Sequence, residues 1–89
     1  MIARELEIVN KLGLHARAAA KLVHVAARFK SDIKIRKGME EVDGKSILGI
    51  LLLAAGRGSI INVKAEGEDE AAAVDGIAAL VANRFDESE

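Results

Sequence analysis

A histidine at position 15 stands in the run LGLHARAAAKL at 12–22, with Gly13 two residues before it and Arg17 two residues after it. The alanine-rich stretch that follows forms helix readily, so the spacing predicts a helix starting at Ala16 with His15 as its N-cap. The backbone N–H groups of Ala16, Arg17 and Ala18 then have no partner inside the helix. Such an end attracts anions and disfavours imidazolium. It suits a neutral, nucleophilic ring before a transfer and a phosphoryl group on that ring afterwards. Arg17 adds a permanent cation. Positions two apart do not face each other within a helix, but a cap residue lies outside the helical dihedrals, so the guanidinium can reach back to grip phosphoryl oxygens. Gly13 supplies the freedom to turn sharply into the helix. Taken alone, Gly-x-His-x-Arg is a short pattern with many chance matches, and a loop histidine beside a solvated arginine is the simpler account of it.

A second polar position is Ser46. It precedes the short apolar piece Ile47 to Ala54, where a serine N-cap contributes about 1 kcal/mol relative to alanine. That piece closes at Gly56-Arg57-Gly58, a strong stop signal. Ile47, Leu48, Leu51 and Leu52 are more apolar residues than a short helix buries on one side. Either the helix lies deep in the core or part of it stays exposed as a docking patch. His24 reads as an ordinary surface histidine. GMEEVDGKS at 38–46 misses the P-loop pattern, because five residues separate its glycines and its carboxylates would repel nucleotide phosphates. The acidic run at 66–70 reads as dipole complementation at a helix start rather than as a metal cluster.

These side chains need elements to hold them. Leu6 and Ile8 alternate with Glu5 and Glu7, Ile33 and Ile35 with Lys34 and Arg36, and Ile61, Val63 and Ala65 with Asn62, Lys64 and Glu66; each segment is a strand with one wet face. A weaker fourth strand runs through Glu40 to Val42. Helical periodicity marks Ala19, Leu22, Val23, Ala26 and Phe29, then Val74, Ile77, Ala78, Val81 and Phe85, with Glu68, Asp69 and Glu70 at the start of the second helix and Arg84 near its end. The expected fold is α+β: a two-layer, open-faced β-sandwich, in which a four-stranded, mainly antiparallel sheet carries three helices on one face in the order β-α-β-β-α-β-α.

At 89 residues the expectation is a single domain over 1–89. Thirteen Lys and Arg against fourteen Asp and Glu give a net charge of −1, and the charges are scattered, which argues against a nucleic-acid stripe or a polybasic membrane patch. Phe29 and Phe85 are the only aromatic residues, too few for base-stacking platforms. With no cysteine, a disulfide framework, a thiolate zinc site and a Cys-x-x-Cys redox motif are excluded. The N-terminal MIARELEIVN carries charges where a signal peptide needs an apolar segment, and no apolar run approaches the roughly 20 residues that span a bilayer. The expectation is a soluble, cytoplasmic protein without cofactor or metal.

GLHARAAA at 13–20, DGKSILGILLLAAGRGS at 43–59 and AEGEDE at 65–70 together resemble the HPr family, the histidine-containing phosphocarriers of bacterial phosphotransferase systems, over essentially the whole chain. The resemblance implies that His15 accepts a phosphoryl group from enzyme I and passes it to IIA-type domains, that Arg17 assists at the phosphohistidine, and that Ser46 is a regulatory site for an HPr kinase/phosphorylase. It implies a monomeric carrier rather than an enzyme. Partners would dock through Ala20, Lys21 and His24 on the first long helix and through Ile47, Leu48 and Leu51 on the short one. Many family members have proline where this chain has Ala18. The HARAA form resembles nitrogen-branch carriers and the HPr of some proteobacteria, so the sugar and nitrogen branches both stay open. A third reading is an interaction module that keeps the fold without phosphoryl transfer.

Overall fold

A computed structural model describes residues 1–88. The elements follow the expected order: β1 (Ile2–Glu7), α1 (Ala16–Ala26), β2 (Asp32–Lys37), β3 (Glu40–Asp43), α2 (Ile47–Leu52), β4 (Ile60–Glu66) and α3 (Glu70–Ala82), followed by a tight turn over Arg84–Asp86. The strands form one sheet in the order β1-β4-β2-β3, and every neighbouring pair is antiparallel. β4 is central. Its Val63 pairs with Arg4 of β1 on one side and Ile35 of β2 on the other.

Alternation fixes the faces. Ile33, Ile35, Ile61, Val63 and Ala65 are buried under the helices, whereas Lys34, Arg36, Asn62 and Lys64 occupy the alternate positions and face the open side. There Lys64 pairs with Glu41 at 3.5 Å and Lys34 with Asp32 at 3.7 Å, exposed contacts that add little stability. From the helical layer, α1 buries Ala18, Ala19, Leu22 and Ala26, and α3 buries Ala73, Val74, Ile77 and Val81. The alanines let α1 lie close to its neighbours. α2 sends Ile50 inward, and Leu53, just past its end, is also buried.

Three sequence expectations change, those for Phe29 and Phe85, which lie beyond the helices whose apolar stripes were expected to include them, and that for Arg84. Phe29 lies beyond the end of α1 and packs, partly buried, on the core from the connection to β2. A Cβ at Gly76 would lie 3.3 Å from the Phe29 ring, so the missing side chain in α3 makes room for it. Arg84 does not complement the α3 dipole. The helix stops at Ala82, and Arg84, Phe85 and Asp86 all have positive φ (57°, 53° and 63°), a left-handed run that turns the tail back toward α1. Each such residue costs roughly 1–2 kcal/mol, and the burial of Phe85 holds the run in place.

The acidic start of α3 also divides its labour. Glu70 lies in the first turn, accepts the Gly67 N–H at 3.2 Å and pairs with the Met1 amine at 2.9 Å. Asp69 occupies the cap position but does not cap its own helix; its carboxylate accepts from the Lys30 and Ser31 backbone N–H groups at 2.8 and 2.9 Å and from the Ser31 hydroxyl at 2.5 Å. The hydroxyl bond from Ser31 is the main cause that holds the Asp69 carboxyl below its ordinary value, with the Lys30 N–H next. Asp69 staples the loop after α1 to the start of α3.

Candidate functional site

The loop between β1 and α1 is built around Asn10 and Gly13. Gly13 adopts φ +67°, and a Cβ there would lie 2.6 Å from the Ala55 carbonyl oxygen, so only glycine fits. Leu14 N–H then donates to the same Ala55 carbonyl at 2.8 Å, which seats the loop on the end of the α2 segment. Asn10 is fully buried and its amide nitrogen donates to the Gly13 carbonyl at 2.8 Å. The chain thus reaches His15 in a fixed orientation.

His15 is the N-cap of α1 in extended conformation (φ −76°, ψ 178°), as expected, yet its side chain makes no capping bond. The N–H groups of Ala16, Arg17 and Ala18 find no acceptor among the described residues; the first helical bond runs from Ala19 N–H to the His15 carbonyl at 2.8 Å. The ring is turned to the tail instead, where Nε2 meets the Glu87 carboxylate oxygen Oε2. Glu87 Oε1 accepts from the Asn10 amide at 2.9 Å. This bond is the chief reason the Glu87 carboxyl lies below its ordinary value; burial opposes it, and the hydrogen bond and charge at His15 and the charge of Lys21 reinforce it.

His15, Arg17, Lys21 and Glu87 share an open cleft of about 750 Å³ with Lys11 and Ser88. Arg17 is exposed on its rim and makes no hydrogen bond or ion pair within the described residues. Lys21, one of the expected docking residues, donates to the Phe85 carbonyl at 2.7 Å and so ties the tail to α1. Ala20 and His24 are exposed on α1 as expected. On α2, Ile47, Leu48 and Leu51 are 45%, 70% and 36% exposed, so this helix does not lie deep in the core. Ser46 caps α2, its Oγ accepting the Gly49 N–H at 3.1 Å.

Asn10 and Glu87 were not singled out by the sequence. They are 77 positions apart, and neither falls in a motif or a periodic stripe that would flag it. A hint was available in the isolated asparagine of an otherwise apolar and basic loop, but nothing in the order of residues says that the tail returns to it. No group of three metal-ligating side chains is placed together among the described residues. What the arrangement offers chemically is a histidine ring, about a quarter exposed, beside N–H donors and a guanidinium that have no partner among the described residues, in an open cleft.

Residues 2–83 match the family model described as the PTS HPr component phosphorylation site. Phosphocarrier protein HPr of Cupriavidus necator is 49% identical over 89 residues, covering 100% of both chains. Phosphocarrier protein NPr of Shewanella violacea is 45% identical over 87 residues, 98% of this chain and 96% of its own. The crystal structure of HPr-C-His from Thermoanaerobacter tengcongensis superposes with a TM-score of 0.96 at 39% identity, with 100% of each chain covered. With the four-stranded antiparallel sheet, the helices on one of its faces and the family model matched across nearly the full length, the chain belongs to the HPr family of phosphocarrier proteins of the phosphotransferase system.

Proposed function

We propose that this protein accepts a phosphoryl group on His15 from enzyme I and hands it to a IIA-type domain, as a monomer in the cytoplasm. The observation that carries this reading is the set of N–H groups at Ala16, Arg17 and Ala18, without an acceptor among the described residues, directly after a partly exposed histidine. Backbone donors at a helix start bind phosphoryl oxygens well, and Arg17 adds a charge that no described residue neutralises. Nitrogen-bound phosphoryl keeps a high transfer potential. The protein therefore needs to position the group and offset its charge rather than supply covalent chemistry of its own. Such a protein is a carrier and a substrate of other enzymes.

The exposed apolar side chains of α2, with Ala20 and His24 of α1, are the proposed docking surface for both partners, and Lys21 contributes from α1, where it also holds the tail. Phosphorylation at Ser46 by an HPr kinase/phosphorylase would put a dianion at the edge of that surface. A helix start tolerates this, but an acidic partner would be repelled. Nitrogen-branch signalling is the second reading, favoured by the HARAA sequence at 15–19 and by the NPr relative.

The test is incubation with enzyme I and labelled phosphoenolpyruvate. An acid-labile label that disappears in His15→Ala is expected; no label from either the sugar-branch enzyme I or its nitrogen-branch counterpart would remove the carrier reading and leave an interaction module. The faster of the two donors identifies the branch. For Ser46, an ATP-dependent, acid-stable phosphate that is lost in Ser46→Ala is expected.

A further inference from the structure

A second hollow, of about 430 Å³, lies beside the cleft, between α1 and the C-terminal end of α3. Arg17, Lys21, His24 and Arg28 line it at spacings of four, three and four residues, which puts all four side chains on one stripe of the helix. Arg28 belongs to that stripe although α1 ends at Ala26, because its N–H donates to the Val25 carbonyl at 3.1 Å and carries the helical path on. At 1.5 Å per residue the stripe is about 16 Å long. Val25 and Leu80 add apolar lining, and none of the lining residues is aromatic.

The charges of this groove are unbalanced. Elsewhere on the surface Arg4, Lys30, Lys34 and Lys64 each face a carboxylate. Lys21 donates to the neutral Phe85 carbonyl and interacts with the charge of Glu87 from the cleft side. Arg17, His24 and Arg28 make no side-chain hydrogen bond or ion pair among the described residues. A single carboxylate, Asp86, lines the groove, and its Oδ1 already accepts from the Asn83 amide at 2.8 Å. In a chain whose net charge is −1, a concave wall with three permanent cations collects anions. Guanidinium groups take phosphate oxygens in pairs, whereas a nucleobase would find no ring here to stack on. We propose that this groove binds a small anion carrying two or three phosphate groups, and that the bound anion draws Arg17 from His15 and so slows phosphoryl transfer. The second half rests on the reading of His15 as the phosphoryl acceptor. Arg17 makes the link because it lines both the cleft and the groove. A lone phosphate covers too little of the stripe to engage Arg17 and Arg28 together; two or three linked ones lie between these long side chains and are held from both ends.

The test titrates the ¹⁵N-labelled full-length protein with sodium tripolyphosphate, using inorganic phosphate and an oligoglutamate peptide as parallel titrants, and measures transfer from enzyme I with and without tripolyphosphate. Amide shifts should concentrate over residues 20–28 and at Leu80, and tripolyphosphate should bind more tightly than either of the others. Arg28→Ala, a change at an exposed side chain, should weaken that binding about tenfold through loss of one charge-assisted contact. Because Arg28 does not line the cleft, the variant should take label from enzyme I at the unmodified rate. Added tripolyphosphate should then slow transfer to the unmodified protein and spare Arg28→Ala. Shifts confined to residues 13–17, an affinity unchanged in Arg28→Ala, or no saturable shift at all overturn the inference. Tighter binding of the peptide overturns the phosphate class and gives the groove to an acidic protein partner. Equal slowing of both proteins overturns the regulatory half, because the anion then acts on enzyme I. The titration needs no phosphoryl donor, so a protein that binds tripolyphosphate along α1 but takes no label at His15 sinks the carrier reading and leaves the groove standing.

Discussion

Arg17 is exposed and unengaged among the described residues, so its removal separates chemistry from folding. Arg17→Ala should leave stability within about 0.5 kcal/mol and lower the phosphoryl-transfer rate roughly 10²-fold, as loss of one charge-stabilising donor does elsewhere. Denaturant titration and single-turnover transfer check the two halves. Gly13→Ala should act the other way. With φ at +67° and a Cβ destined to lie 2.6 Å from the Ala55 carbonyl oxygen, it should destabilise by at least about 1 kcal/mol and displace the loop that delivers His15. A denaturation midpoint equal to that of the unmodified protein would refute it. The cap position of His15 and the turn at Gly13 were legible because each is a local matter of which residue types tolerate which dihedrals. Glu87 was not, because its partners lie 77 and 72 positions away and a carboxylate in a terminal segment looks like any solvated charge.

Helix ends carry the next set of expectations. Ser46→Ala removes the bond that Gly49 N–H donates to Oγ and should cost about 1 kcal/mol, visible as a melting temperature lower by roughly 4–8 °C. Ser46→Asp keeps an acceptor at the same place and should melt closer to the unmodified protein while accepting phosphoryl groups more slowly. Acid tests the carboxylates. Asp69, Glu70 and Glu87 are each lowered from ordinary values of 3.8, 4.5 and 4.5, so the folded state binds protons less readily than the unfolded chain. Their contribution is complete above those values and disappears as pH falls through the lower folded ones. Denaturant midpoints should therefore hold from pH 7 to about 5 and decline below about 4.5, and Asp69→Asn should decline less steeply. The elements themselves were readable from periods of two and 3.6, because strands wet on one face and helices with one apolar stripe are what a two-layer fold requires. Charge patterns were less reliable guides. Asp69 and Arg84 stand where dipole complementation would want them, yet one staples a neighbouring loop and the other enters a left-handed turn.

The whole molecule is a sheet with one helical layer, closed at one end by the tail. Phe85, fully buried, is the largest side chain in the core, and Phe85→Ala should cost about 3–5 kcal/mol. The same substitution should release Glu87 from His15, visible as a shift of the His15 ring resonances at temperatures where the variant remains folded. The two layers followed from the sequence because alternation leaves each strand one apolar face. The return of the tail did not, since three successive left-handed residues without glycine have no compositional signature. That return has a practical use. Ser88 lines the same cleft as His15 and Arg17, and the chain contains no cysteine. Ser88→Cys would thus give a unique attachment point for a dye at the rim of the site, whose emission should change as partners arrive and as the ring gains or loses its cargo.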